Sequence, residues 1–189
     1  MKLVCVGDSI TAGAFLDQPS DAWPARLGRM LCATGWQVVN AGIGGNAVAT
    51  PQAINPLPQR LPALLTSDVT HLIIFEGIND VWSVSPTETC NALLACLLMG
   101  INAGVTSRIA TLTPFSGTAP FDNPVAEAYR QGINAWLRAY FNATPYLADF
   151  DAVLRNQSNR LRPEYSYDGL HPNAYGHMRL ADAALAAIG

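Results

Sequence analysis

The sequence predicts an α/β fold built around a parallel β-sheet. Two observations carry this. Short apolar runs alternate with amphipathic stretches of helical length along the whole chain. The run at 71–75 is apolar at nearly every position, as expected of a parallel strand covered on both faces. With 189 residues, half of them apolar, the chain is long enough to bury one sizeable core.

The elements follow in order. Residues 3–6 form the first expected strand. Residues 21–33 form an amphipathic helix that stops at Gly35. Residues 37–39 are the second strand, and the proline-rich stretch 50–62 reads as a loop on the rim. After the third strand at 71–75, Ser85-Pro86-Thr87-Glu88 is a capping box with proline at the first helical position, opening a helix to about Ala103. Residues 105–112 give the fourth strand and 113–124 a second rim segment. Asn123-Pro124 starts a helix to about Asn142, a weaker fifth strand covers 146–150, and a last helix runs from about Asn173 to Ala187. No repeat or low-complexity linker interrupts this order, so residues 1–189 are expected to be a single domain.

Composition narrows the function classes. Only 13% of residues are charged, the net charge is −3, and no block of Lys or Arg is present. Nucleic-acid binding draws most of its affinity from such blocks, so neither a nucleic acid nor an anionic membrane surface is expected as a partner. No apolar stretch approaches the roughly 20 residues of a membrane span. The first strand starts at the chain's beginning and no leader is visible, which points to the cytoplasm; a secreted chain trimmed of its leader would look the same. Cys5, Cys32, Cys90 and Cys96 form no CxxC pair and have no histidine at zinc-ligand spacing. They read as free, mostly buried thiols, consistent with a reducing compartment.

In an open parallel sheet the site lies beyond the carboxyl ends of the strands. Gly7-Asp8-Ser9-Ile10-Thr11 follows the first strand directly. A serine there has an exposed hydroxyl and needs a neighbouring base to become a nucleophile; the bland alternative is a serine capping the next helix. The chain has three histidines. His71 precedes the third strand, at the wrong edge, and His177 sits within the last helix as a surface or packing residue. His171 lies in Asp168-Gly169-Leu170-His171-Pro172, where a tight turn lets the Asp168 carboxylate take one imidazole nitrogen and leaves the other for serine. By itself this is also an ordinary Asp/His pair in an exposed turn. Gly42-Ile43-Gly44-Gly45-Asn46 after the second strand offers backbone N–H groups, or simply a flexible turn. Asn79, in Gly77-Ile78-Asn79-Asp80 after the third strand, offers a side-chain amide, or simply a turn former. Each segment is weak alone. Their common position, three at strand ends and the fourth supplying a base near the chain's end, points to acyl transfer.

The four segments, GDSIT at 7–11, GIGG at 42–45, GIND at 77–80 and DGLHP at 168–172, resemble the blocks of the SGNH hydrolases, the GDSL-type esterases and lipases. The resemblance spans nearly the whole chain in the right order. It implies a flavodoxin-like three-layer α/β/α sandwich whose five strands run in the order 2-1-3-4-5. It implies Ser9 as nucleophile, His171 as base and Asp168 as its orienter, with the Ser9 and Gly45 amides and the Asn79 side chain as oxyanion donors. The second block is the loosest match, since many relatives have Ser where Gly44 stands. The GxSxG elbow of the α/β-hydrolases is absent.

The expected function is hydrolysis of short-chain carboxylic esters, acetyl groups on carbohydrates among them, with a small-molecule ester as partner and no cofactor or metal. The short chain shows no lid insertion, which favours an open cleft. Family members also include lysophospholipases and thioesterases, so longer acyl chains are the alternative. A catalytically silent binding module is the alternative of another class, and a metal-dependent hydrolase would need clustered Asp and His ligands that this edge lacks. Phe15, Trp23, Trp82, Phe115, Phe121, Tyr165 and Tyr167 are placed near the rim, to line a substrate cleft or to fill the core beneath it. Asp8 and Asp80 are expected to brace the loops bearing Ser9 and Asn79. Glu76, beside GIND, reads either as a hydrogen-bonding group behind the site or as a surface carboxylate. The sequence leaves the oligomeric state open.

Overall fold

A computed structural model describes residues 1–141 and 145–189. Five parallel strands form one sheet in the order β2-β1-β3-β4-β5. They are β1 (Lys2–Gly7), β2 (Gln37–Gly42), β3 (His71–Phe75), β4 (Thr106–Ala110) and β5 (Leu147–Ala148). The helices are α1 (Ser9–Ala12), α2 (Trp23–Leu31), α3 (Leu57–Leu64), α4 (Pro86–Asn102), α5 (Pro124–Phe141), α6 (Phe150–Leu154) and α7 (Ala174–Ile188). Helix α2 packs on α7, and α7 on α6; α4 packs between α3 and α5. The sheet thus lies between two helical layers, as the resemblance implied. The core runs along its centre, where Leu3, Cys5, Val6, Leu72, Ile73, Ile74 and Phe75 are fully buried.

Most elements fall where the sequence places them. The capping box at Ser85 forms in both directions, with Ser85 Oγ accepting from Glu88 N and Glu88 accepting from Ser85 N. Asn173 caps α7 through the Tyr175 and Gly176 amides. Gly35 closes the turn after α2 with φ 73°. The expected end of α5 at Asn142 lies outside the described residues.

Three expectations need correction. The rim loop at 50–62 contains most of α3, whose Leu57 and Leu61 are buried one turn apart. Proline content conceals it: Pro58 sits in the first turn, where a missing N–H costs nothing, and Pro62 removes a bond only in the final turn. The fifth strand is far shorter than 146–150, because the Asp149 carboxylate accepts from Ala152 N and starts α6 at Phe150. Trp23 and Phe115 are not rim residues. Both are fully buried, and the Trp23 ring meets Phe150 edge-on at 5.3 Å.

Candidate active site

The site is assembled at the carboxyl edge of the sheet. The first turn beyond β1 is capped by Asp8, not by Ser9: Asp8 Oδ1 accepts from Ile10 N at 2.8 Å. Ser9 is therefore the first residue of α1, where its own N–H has no acceptor within the helix. Its hydroxyl is left for another partner. Ser9 Oγ lies 3.0 Å from His171 Nε2, across 162 residues of chain. On the far side of the ring, His171 Nδ1 lies 2.6 Å from Asp168 Oδ2.

The Asp168 turn is built to hold that ring. Asp168 Oδ1 accepts from Leu170 N at 2.9 Å, from His171 N at 2.8 Å and from Ser166 Oγ at 3.1 Å. Ser166 Oγ also lies 2.7 Å from the His171 carbonyl. Partial burial works to raise the Asp168 pKa, but the Leu170 amide and the His171 ring and amide outweigh it and hold it below the usual carboxylate value. An ionised carboxylate only accepts, so Nδ1 carries the proton. In the neutral ring Nε2 is then an acceptor facing the Ser9 hydroxyl. Such an arrangement can withdraw a proton from the serine as it attacks a carbonyl.

The turns after β2 and β3 are tied to this edge by hydrogen bonds. Ile43 N donates to the Gly7 carbonyl at 2.9 Å, tying the turn after β2 to the approach to Ser9. Gly45 lies exposed in this turn with φ 72°. Asn79 Nδ2 donates to the carbonyl of Asn46, the next residue, at 2.7 Å. One N–H of the Asn79 amide is thereby fixed and the other remains. Asp80 braces the same loop from below, accepting from Val48 N, Ala49 N and Thr50 N at 2.6–2.9 Å.

The residue that sequence reasoning missed is Arg60, on the unrecognised α3. Its Nε donates to Asn46 Oδ1 at 3.0 Å, Nη1 to the Ala41 carbonyl at 2.7 Å and Nη2 to the Gly7 carbonyl at 3.0 Å. Nη2 also faces Glu76 Oε2 at 3.8 Å. One guanidinium thus links the ends of β1 and β2 with the Asn46 loop and the residue after β3. No motif marks it, and the prolines that conceal α3 conceal Arg60 with it. Glu76 is fully buried, which removes the surface-carboxylate reading. Burial pushes the Glu76 carboxyl well up, with Asp8 adding to the rise and Arg60 opposing it. Burial likewise raises Asp8, to about 7.

The other histidines stand apart. His71 opens β3 at the opposite edge of the sheet, against Trp36. His177 is buried, and its Nδ1 accepts from Trp23 N at 3.1 Å, so it is a packing residue. Cys5, Cys90 and Cys96 are buried free thiols and Cys32 is an exposed one. Among the described residues no group of three His, Cys, Asp or Glu side chains is placed to hold a metal ion. Among them, too, no helix is long and apolar enough to cross a membrane.

The family model of the GDSL-like Lipase/Acylhydrolase family matches residues 5–179. The chain belongs to that family. Solved structures of similar proteins agree. A member of the lipolytic protein G-D-S-L family from Veillonella parvula is 20% identical with a TM-score of 0.77, over 98% of this chain and 97% of that one. The psychrotrophic esterase EstA from Pseudoalteromonas sp. is 21% identical with a TM-score of 0.73, over 99% and 96%. A variant of Axe2, an acetylxylan esterase from Geobacillus stearothermophilus, is 25% identical with a TM-score of 0.73, over 100% and 94%. No curated protein sequence matches the chain. This GDSL hydrolase is a carboxylic ester hydrolase, and its fold and strand order are those of the family.

Beside His171 the GDSL hydrolase has an open cleft of about 290 Å³, walled by Phe15, Tyr167, His171 and Pro172. Phe15 holds a left-handed backbone at φ 64°, and its ring lies 4.6 Å from the His171 ring while remaining 80% exposed. Tyr167 is 91% exposed. Trp82 stacks on buried Phe115 at 5.4 Å, leaving its outer face partly open beyond Asn79.

Proposed function

We propose that the enzyme is a serine esterase acting on short-chain esters, with acetyl groups on carbohydrates as its leading substrate class. The observation that carries the reading is the relay from Ser9 Oγ to His171 Nε2 at 3.0 Å and from His171 Nδ1 to Asp168 Oδ2 at 2.6 Å. His171 takes the Ser9 proton as Oγ attacks the ester carbonyl. The oxyanion is met by the Ser9 and Gly45 amides and the free N–H of Asn79. His171 passes the proton to the departing alcohol, leaving an acyl-enzyme. Water, deprotonated by the same imidazole, then attacks the acyl carbon, and collapse returns the proton to Ser9.

Short acyl groups and sugar alcohols are supported by the shape of the surroundings. The cleft beside His171 is open, and two exposed aromatic rings, Phe15 and Tyr167, line it. Such rings offer flat apolar faces to a sugar while water reaches its hydroxyls. The Axe2 likeness points the same way.

A fluorophosphonate probe tests the nucleophile: the wild-type protein should be labelled and Ser9→Ala should not. Folded wild-type protein that stays unlabelled would leave a binding module as the better reading. Hydrolysis of p-nitrophenyl esters from acetate to palmitate tests the acyl group, with maximal kcat/KM expected at acetate or butyrate. A maximum at long chains would move the enzyme to the lysophospholipase and thioesterase group.

A further inference from the structure

A second cleft, of about 480 Å³, lies on the other side of Tyr167 and Asp168, which it shares with the cleft at His171. Its walls also carry Ser116, Asn156, Arg160 and Arg162. Arg162 is unusual among the arginines. Its Nε donates to the Arg155 carbonyl at 3.0 Å, and its guanidinium carbon lies 5.8 Å over the Tyr165 ring. These two contacts fix the plane of the group. Among the described residues no carboxylate comes within 4.0 Å of it and neither Nη makes a hydrogen bond; Arg29 and Arg108 also face no carboxylate, but each spends an Nη on a backbone carbonyl, and the other seven arginines each face a carboxylate.

The cleft lining carries two arginines, Arg160 and Arg162, against the one carboxylate of Asp168, so it stays net positive. The Asp168 carboxylate is engaged by its own turn and by the His171 ring. Arg160, on the same wall, reaches Glu127 only at 3.9 Å. The wall itself is firm, because buried Arg130 ties it to α5 by donating to the Asn159 carbonyl at 3.1 Å. A half-buried guanidinium with a fixed plane and free paired donors matches a carboxylate.

We propose that this cleft binds a carboxylate carried by the alcohol part of the ester, on a sugar unit next to the acylated one. The inference rests on the esterase reading at Ser9. It assigns the alcohol part because His171 Nε2 is the group that protonates the leaving oxygen, so the departing alcohol lies beside that ring. From there the way into the second cleft passes over Tyr167. The substrate class is therefore an acidic, acetylated oligosaccharide, with the acetyl group at Ser9 and a uronate at Arg162.

The test is steady-state kinetics on acetylated xylo-oligosaccharides with and without a glucuronic acid branch, beside p-nitrophenyl acetate and p-nitrophenyl hemisuccinate. The wild-type enzyme should show a kcat/KM about tenfold higher for the branched acidic substrate, the usual scale of a charge-assisted hydrogen bond. The preference should reside in KM and shrink in 0.5 M NaCl, and in Arg162→Gln it should fall to about one. Arg162→Lys, which keeps the charge without the fork, should retain part of it. Equal wild-type kcat/KM values on the two oligosaccharides would overturn the proposal, whether or not any variant folds. So would a preference retained in folded Arg162→Gln, or one seen only for the hemisuccinate, which carries its carboxylate on the acyl side. In each of these cases hydrolysis of p-nitrophenyl acetate, absent in Ser9→Ala, would leave the esterase reading standing. Failure to hydrolyse any ester would overturn both.

Discussion

Asn79 and Asn46 are joined by a 2.7 Å hydrogen bond from the Asn79 side-chain amide to the Asn46 carbonyl. The bond links the end of β3 to the turn after β2, and it orients an amide whose second N–H is left for a ligand. Asn79→Ala is expected to lower kcat about 10²- to 10³-fold, the usual loss for one oxyanion donor. Thermal unfolding should show the variant folded. Near-normal turnover would remove Asn79 from the mechanism.

Arg60 acts on the same loop from behind, through its 3.0 Å bond to Asn46 Oδ1. Arg60→Met is expected to lower kcat about tenfold and to cost about 3 kcal/mol of stability, because the Gly7 and Ala41 carbonyls and Asn46 Oδ1 lose their donor. The informative measurement is the double variant with Asn79→Ala. If both changes disturb one set of donors, their combined loss in kcat is smaller than the product of the single losses. Simple multiplication would make Arg60 a structural residue alone.

The glycines of the second block have different jobs. A Cβ on Gly42 would sit 2.2 Å from Ala12 N, against backbone that cannot yield. Gly42→Ala should destabilise the fold by several degrees of melting temperature. A Cβ on Gly44 meets nothing within 4 Å, so Gly44→Ser should melt within a degree or so of wild type. Gly45 also has open space, but its φ of 72° strains any side chain. Gly45→Ala should cost about 1 kcal/mol and shift the turn that carries its amide. Urea unfolding of the three variants ranks them, and an equal effect at 42 and 44 would contradict the packing account.

Acid sensitivity should come partly from His177. Burial, with lesser help from the charges of Arg26 and His171, lowers its pKa from 6.5 to about 3. Its Nδ1 is already committed to Trp23 N. Below pH 6.5 the unfolded chain takes a proton here that the folded one refuses, so stability falls as pH drops from about 6.5 towards 3. The slope from one group is at most about 1.4 kcal/mol per pH unit. His177→Gln should flatten that limb in urea titrations at a series of pH values. An unchanged limb would place the acid sensitivity elsewhere.

Much of this enzyme was legible in its sequence because the signals were local. Strand ends, caps and glycine turns are fixed by neighbours a few residues apart, and Ser85, Asn173 and Gly35 behave as their sequence contexts dictate. The four blocks declare their places by following strands β1, β2 and β3 or preceding α7. Ser9, Asn79, Asp168 and His171 could be proposed as site residues without coordinates for that reason.

What required the tertiary structure was everything set by contact between distant segments. The sequence could not bring Ser9 within 3.0 Å of His171, and it gave no sign that Arg60 gathers the Gly7 and Ala41 carbonyls. Nor could it bury Glu76, send Trp23 into the core or leave Arg162, among the described residues, without a carboxylate partner in the cleft that Asp168 also lines. Periodicity and turn chemistry act over a few residues. Burial and charge pairing depend on which remote chain arrives next to a side chain, and only the packed sheet and its helices decide that.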